Sequence, residues 1–157
     1  SDKVTSTNTT FTPARWDTYD KGGMSVYDGI VANVNYIHDS NSCLSRQAAG
    51  ALVGMDDLFV WFKAGGVLIV NGIKLHDYIN LTLSFNHTYK SSSIKCEYSV
   101  DGGATWVEIG TSTTANSAYL LESSFDFDVP SGSETISLRF TATSTPRMDN
   151  VKLAWRD

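Results

Sequence analysis

Apolar and polar residues alternate one for one through most of the second half of the chain. Ile79, Leu81, Leu83 and Phe85 alternate with Asn80, Thr82, Ser84 and Asn86, and the next run sets Ile94, Cys96, Tyr98 and Val100 against Lys95, Glu97 and Ser99. A period of two sends successive side chains to opposite faces of a strand, so each run predicts a strand with one core face and one polar face. Asp101-Gly102-Gly103 then supplies glycines that accept positive φ, and Thr105 to Ile109 is expected to return as the partner of a hairpin. Further on, Phe125, Phe127 and Val129 alternate with Ser124, Asp126 and Asp128 until Pro130 and Gly132 break the run. Ile136, Leu138 and Phe140 alternate with Ser137, Arg139 and Thr141, and Val151, Leu153 and Trp155 mark a last strand.

The first half carries a weaker pattern. Ile30 to Ile37 alternates imperfectly, and Cys43 to Val53 fits a strand, a turn of helix, or both. Leu58 to Lys63 reads as a strand with Leu58, Val60 and Phe62 on one side and Phe59, Trp61 and Lys63 on the other. No segment holds the helical period for a full ~10 residues. Turn signals without helices predict an all-β, antiparallel jelly-roll β-sandwich of about eight to ten strands. Residues 1–10 are expected to be a flexible N-terminal stub and residues 11–157 a single β-sandwich domain.

Composition agrees with that pattern and excludes some functions. Nineteen serines and 16 threonines against a charged fraction of 18% give strands with polar but uncharged faces. A net charge of -5, with no Lys/Arg cluster longer than a pair, offers no footprint for a phosphate backbone, so nucleic acid is not an expected partner. The apolar stretches Leu58 to Phe62 and Val67 to Val70 fall far short of the ~20 residues of a membrane-spanning helix, and no membrane insertion is expected. Cys43 and Cys96 fit either a disulfide or two buried thiols, with Cys96 pointing inward by its alternation.

The order of strands from Val67 onward resembles the jelly-roll accessory domains of secreted bacterial proteins, which are MAM-like, concanavalin-like or galactose-binding-like carbohydrate-binding sandwiches. The residues that carry the resemblance are Val67-Leu68-Ile69-Val70, Leu81-Thr82-Leu83-Ser84-Phe85, Glu97 through Trp106, Ile136 through Phe140, and the closing Arg147-Met148-Asp149-Asn150-Val151-Lys152-Leu153. It implies a secreted or cell-surface binding module, tethered to a larger surface protein, with an oligo- or polysaccharide as partner and no catalysis. It requires no cofactor. A structural calcium ion is the one cation it allows, with Asp149 as the candidate ligand and Asn150 standing where a second carboxylate is common.

Candidate chemistry is sparse. His38, His76 and His87 have no metal-ligand spacing. Asp56, Asp57, Glu97, Asp126 and Asp128 supply the carboxylates from which a glycoside hydrolase pair could be drawn. Ser99 to Trp106 fits an Asp-box, read here as a hairpin device in which Asp101 bonds the turn amides. Asn8, Asn80 and Asn86 begin glycosylation sequons. Trp106 and Trp155 are expected in the core. Trp16, Tyr19, Tyr36, Trp61 and Tyr89 lie outside the clean inward sets and are candidate platforms for the C–H face of a sugar. Thr82, Ser84, Asn86, Glu97 and Arg139 form one expected polar face. The combined expectation is a ligand site of Trp61 with Arg139 and Asn86 nearby, supported by Trp16, Tyr19, Tyr89 and Glu97. The alternatives are a structural or protein-interaction and adhesion module, or a small glycoside hydrolase.

Overall fold

The computed structural model describes residues 4–5, 25–27, 34–38, 43–47, 58–116 and 120–156, with side chains from 62 onward other than 149 and 150. Among these residues there are twelve strands: β1 (Val4–Thr5), β2 (Ser25–Tyr27), β3 (Val34–His38), β4 (Cys43–Gln47), β5 (Leu58–Phe62), β6 (Val67–Lys74), β7 (Asn80–Thr88), β8 (Ser93–Ser99), β9 (Val107–Thr111), β10 (Leu121–Asp128), β11 (Thr135–Thr143) and β12 (Arg147–Arg156). The count exceeds the expected eight to ten because β1 and β2, of two and three residues, are too short to show a period. Val4 and Thr5, inside the segment expected as a flexible stub, pair with Arg156 and Trp155.

The first sheet runs β10-β7-β12-β5-β4 with β1 also on β12, and the second runs β2-β3-β6-β11-β8-β9, every pairing antiparallel. From β5 to β12 the chain crosses between the sheets repeatedly, which is the jelly-roll route. The alternation explains the core. Leu81, Leu83 and Phe85 of β7, Ile94 and Cys96 of β8, Ile136, Leu138 and Phe140 of β11, and Val151 and Leu153 of β12 are buried between the sheets with Phe62 and Leu68. Each fully buried side chain of this size contributes roughly 1.5–3 kcal/mol by leaving water. Phe85 and Phe140 meet edge to face across the sheets at 6.1 Å, the preferred arrangement of two aromatic quadrupoles.

Where β9 and β10 end the two sheets, Gly110 lies under the ring of Phe125, and a Cβ there would come within 2.7 Å of it. Cys96 is a buried free thiol, and burial raises its pKa far above the ordinary thiol value. The strand after Asp101 begins at Val107 rather than Thr105, because Asp101 receives hydrogen bonds from Ser99 (2.6 Å) and the Thr105 amide (2.9 Å), while Ser99 Oγ accepts from the Gly103 amide (2.9 Å). These bonds hold the Asp101 carboxyl at a pKa of about 2.

Candidate functional site

The outer face of the first sheet is built on β7. Its inward residues Leu81, Leu83, Phe85 and His87 are buried, while Asn80, Thr82, Ser84 and Asn86 are half-buried on the opposite side. From Asn80 to Asn86 this polar row runs about 20 Å along the strand. Ladder register extends it sideways. Asn86 pairs with Glu122 on β10 and Asp149 on β12, and Ser84 pairs with Ser124 and Lys152. Amide, hydroxyl, carboxylate and ammonium groups therefore recur across three adjacent strands, all on or beside one face.

One end of this face carries aromatic and cationic residues. Arg147 opens β12 with Thr88 as its partner on one side and Trp61 of β5 on the other. Its guanidinium carbon lies 4.3 Å from the ring centroid of Tyr89, and the Lys90 ammonium lies 5.1 Å from the same centroid. The backbone that presents these residues is unusual: Tyr89, Lys90 and Ser91 have φ of 102°, 41° and 46°. Left-handed conformations cost non-glycine residues energy and persist only where the surroundings impose them. Here the Tyr89 amide donates to Asn116 O (3.3 Å), Thr88 Oγ1 donates to the same carbonyl (3.2 Å), Ser92 Oγ donates to Tyr89 O, and Ser144 Oγ donates to Lys90 O (3.3 Å).

The other end of the face is closed by ion pairs. Arg156 reaches Asp126 at 3.8 Å and Asp128 at 3.5 Å, and Thr82 donates to Asp126 at 2.7 Å.

A second polar cluster sits on the outer face of the opposite sheet. Arg139 on β11 donates to both carboxylate oxygens of Glu97 on β8 at 2.9 and 3.0 Å, with Lys95 3.9 Å away. The guanidinium covers Trp106 at 4.4 Å, and the hairpin backbone at Gly103 covers the indole from within 3.5 Å of its Cβ position. Only 10% of the Glu97 side chain is exposed, and the hydrogen bonds from Arg139 hold its carboxyl below the ordinary range.

These positions rearrange the group named from sequence. Asn86, Tyr89 and Trp61 fall on β7, just beyond it, and on β5 of one sheet, joined through Arg147. Arg139 and Glu97 belong to the other sheet and cannot share a ligand with them, so the single polar face of Thr82, Ser84, Asn86, Glu97 and Arg139 is two faces pointing apart. Trp106 is half-exposed on an outer face instead of buried, because the turn delivers it to the side of β9 where Arg139 waits, whereas Trp155 is buried as expected. Trp16 and Tyr19 lie outside the described residues. Asp149 stands opposite Asn86 in the ladder, and among the described residues no group of three or more His, Cys, Asp or Glu converges to hold a metal. Arg147 and Lys90 lie outside the ligand site expected from sequence: Lys90 follows Tyr89 directly, and Arg147 is marked there only as the start of the closing strand. A depression of about 250 Å³ lined by Lys74, His76, Asp77, Glu134 and Thr135 has charges but no aromatic wall. No helix among the described residues is long and apolar enough to cross a membrane.

No family model matches the chain, and no curated protein matches it in sequence. Solved structures match it in fold. A CBM61 module in complex with β-1,4-galactotriose superposes with a TM-score of 0.56 at 12% identity, over 78% of this chain and 87% of that one. The CBM22-1 xylan-binding domain from Paenibacillus barcinonensis Xyn10C gives 0.56 at 7% identity over 99% and 96%. The K2 cleaved adhesin domain of Lys-gingipain gives 0.56 at 8% identity over 84% and 96%. The chain has the jelly-roll β-sandwich fold of carbohydrate-binding modules.

Proposed function

We propose that the protein is a non-catalytic carbohydrate-binding module, working outside the cytoplasm as an accessory of a larger surface protein, and that it holds an oligo- or polysaccharide along the outer face of its first sheet. The observation that carries this reading is the row from Tyr89 and Arg147, beside Trp61 in register, into Asn86, Ser84 and Thr82. Sugar rings have apolar C–H faces that stack on aromatics, and hydroxyls that pair with amides, hydroxyls and carboxylates. An aromatic end continuing into a polar strand row suits both. The fold shared with sugar-binding modules supports the same reading.

The carboxylates argue against hydrolysis. Asp126 and Asp128 are two residues apart on one strand face, a separation of about 6.6 Å that inverting glycosidases use. Arg156, however, bridges them and fills the gap that a glycosidic bond and a water would need. Glu97 is held ionised by Arg139, the opposite of what a general acid requires.

A glycan array followed by calorimetric titration tests the proposal. Trp61→Ala and Tyr89→Ala are each expected to weaken binding by about tenfold with the circular dichroism unchanged. Equal affinity in both folded variants would remove this face from the site. Absence of any glycan ligand would favour the adhesion reading, to which the likeness to the K2 adhesin domain also lends support.

A further inference from the structure

We infer that the outer edge of β10 is a docking site for an extended segment of a partner protein, one that alternates apolar with basic residues and adds to the first sheet as a further strand. The inference stands apart from the carbohydrate-binding reading, and either can fail without the other.

The backbone comes first. β10 pairs with β7 from Leu121 to Asp128 without a break in register, and among the described residues no strand takes its far side. Its eight residues offer an edge of about 27 Å, with about four N–H and four C=O groups directed outward. Exposed edges are commonly blocked by shortness, a bulge or a proline. β10 uses none of these: the run Leu121 to Asp128 holds no proline and its ladder has no bulge. What it does carry is charge, and that charge selects which strand can pair with it.

The side chains of the edge define its partner. On the core side, Phe125 and Phe127 remain half-buried, and Tyr98 stacks on Phe127 at 5.4 Å. Val107, the ladder partner of Tyr98, is 48% exposed and is the one exposed large hydrophobic among the described residues. It belongs to β9, which ends the second sheet as β10 ends the first, and Gly110 of β9 under the Phe125 ring makes the two ends neighbours. The sheets therefore part here over an apolar seam, which alternate apolar side chains of an added strand would cover. On the other side, Glu122, Ser124, Asp126 and Asp128 are exposed, with Arg156 reaching Asp126 and Asp128. Three carboxylates against one guanidinium favour basic side chains directly opposite. The same row disfavours a second copy, because antiparallel pairing of β10 with itself about Phe125 sets Glu122 against Asp128. Main-chain hydrogen bonds would supply affinity and the two rows of side chains specificity.

The test titrates synthetic nonapeptides into the whole chain: one alternating Val and Lys, one alternating Ser and Lys, one alternating Val and Glu, and the Val/Lys peptide N-methylated at every second residue in either register. Hydrogen exchange follows the β10 amides, and thermal melts confirm the fold of the variants Ser124→Lys and Val107→Ser, both changed at exposed positions. The Val/Lys peptide is expected to bind at least about tenfold more tightly than the Ser/Lys and Val/Glu peptides and to slow exchange in β10. N-methylation should abolish binding in one register and spare it in the other, since successive N–H groups of a strand point to opposite sides. Each variant should weaken the Val/Lys peptide by at least about threefold, one by repulsion and the other by lost apolar cover. Equal binding of the Ser/Lys peptide would reduce the contact to charge alone and overturn the inference, as would unchanged exchange in β10 or no binding. A dimer in sedimentation whose β10 amides are protected without peptide would overturn it in favour of a second copy.

Discussion

The guanidinium of Arg147 lies 4.3 Å over the ring of Tyr89, coupling the first residue of β12 to the residue that follows β7. Because the two strands are also ladder partners at Arg147 and Thr88, the contact extends the sheet beyond its last backbone pair. The turn and the start of the closing strand therefore behave as one unit.

Tyr89 has a φ of 102°, a value that costs a bulky residue roughly 1–3 kcal/mol. Tyr89→Gly removes that cost but loses the ring and its cation contacts, so its stability is expected to stay within about 1 kcal/mol of the wild type. Tyr89→Val keeps the backbone penalty in a β-branched residue and loses the same contacts. Urea denaturation should place it about 1–2 kcal/mol below Tyr89→Gly. Equal stability of the two variants would mean that the turn is not strained.

Gly110→Ala is expected to destabilise the sandwich by about 1–3 kcal/mol, because its Cβ would meet the Phe125 ring at 2.7 Å where β9 and β10 close the two sheets. Phe125→Leu should recover part of that loss. A double-mutant cycle measures the coupling, and purely additive effects would show that the two residues do not meet.

Two of the groups that make the fold acid-sensitive act in separate ranges. His87 is fully buried, bonded to Ser123 at 2.8 Å through Nε2, and burial pulls its pKa below the ordinary 6.5. Its neutral form is favoured in the fold, so the stability it contributes is complete above about pH 6.5 and falls as the pH drops below that. Glu97 is likewise held below its ordinary 4.5, and its contribution is complete above about pH 4.5 and is lost on further acidification. Urea midpoints measured against pH should flatten in the upper range for His87→Gln and in the lower range for Glu97→Gln. An unchanged profile in either variant would assign the acid sensitivity elsewhere.

Removing one partner of the Glu97–Arg139 pair should cost more than removing both. Arg139→Met leaves a carboxylate that is 10% exposed without its bidentate donor, at a cost of about 2–4 kcal/mol. Adding Glu97→Leu should return part of that stability, and neither change should affect glycan affinity, since this pair sits on the opposite sheet. Lost binding in a folded Arg139→Met would move the site.

Strands β7, β8, β10, β11 and β12 were legible from sequence because each sets apolar residues on its core side and polar residues on its outer side, which writes a period of two into the chain. Such a period tells which residues share a face of a strand, but not which sheet the strand joins. For that reason Asn86 and Arg139 looked like neighbours, although their strands belong to different sheets. Trp61 and Tyr89 stood out because they break the inward sets. Arg147 did not, for two reasons: it follows Pro146, which reads as loop, and the register shift between Asp149 and Lys152 changes which residues of β12 face outward.

The mutual satisfaction of Glu97 and Arg139 makes ionic strength a selective reporter. A close, largely desolvated pair is screened far less than charges standing in water, so added salt leaves that sheet's interactions nearly as they were. Interactions of exposed charges such as Lys90 are screened more readily. Any salt-dependent part of a binding isotherm would therefore report contacts to exposed charges rather than to the Glu97–Arg139 pair, and a simple salt titration can tell the two apart before a single residue is changed.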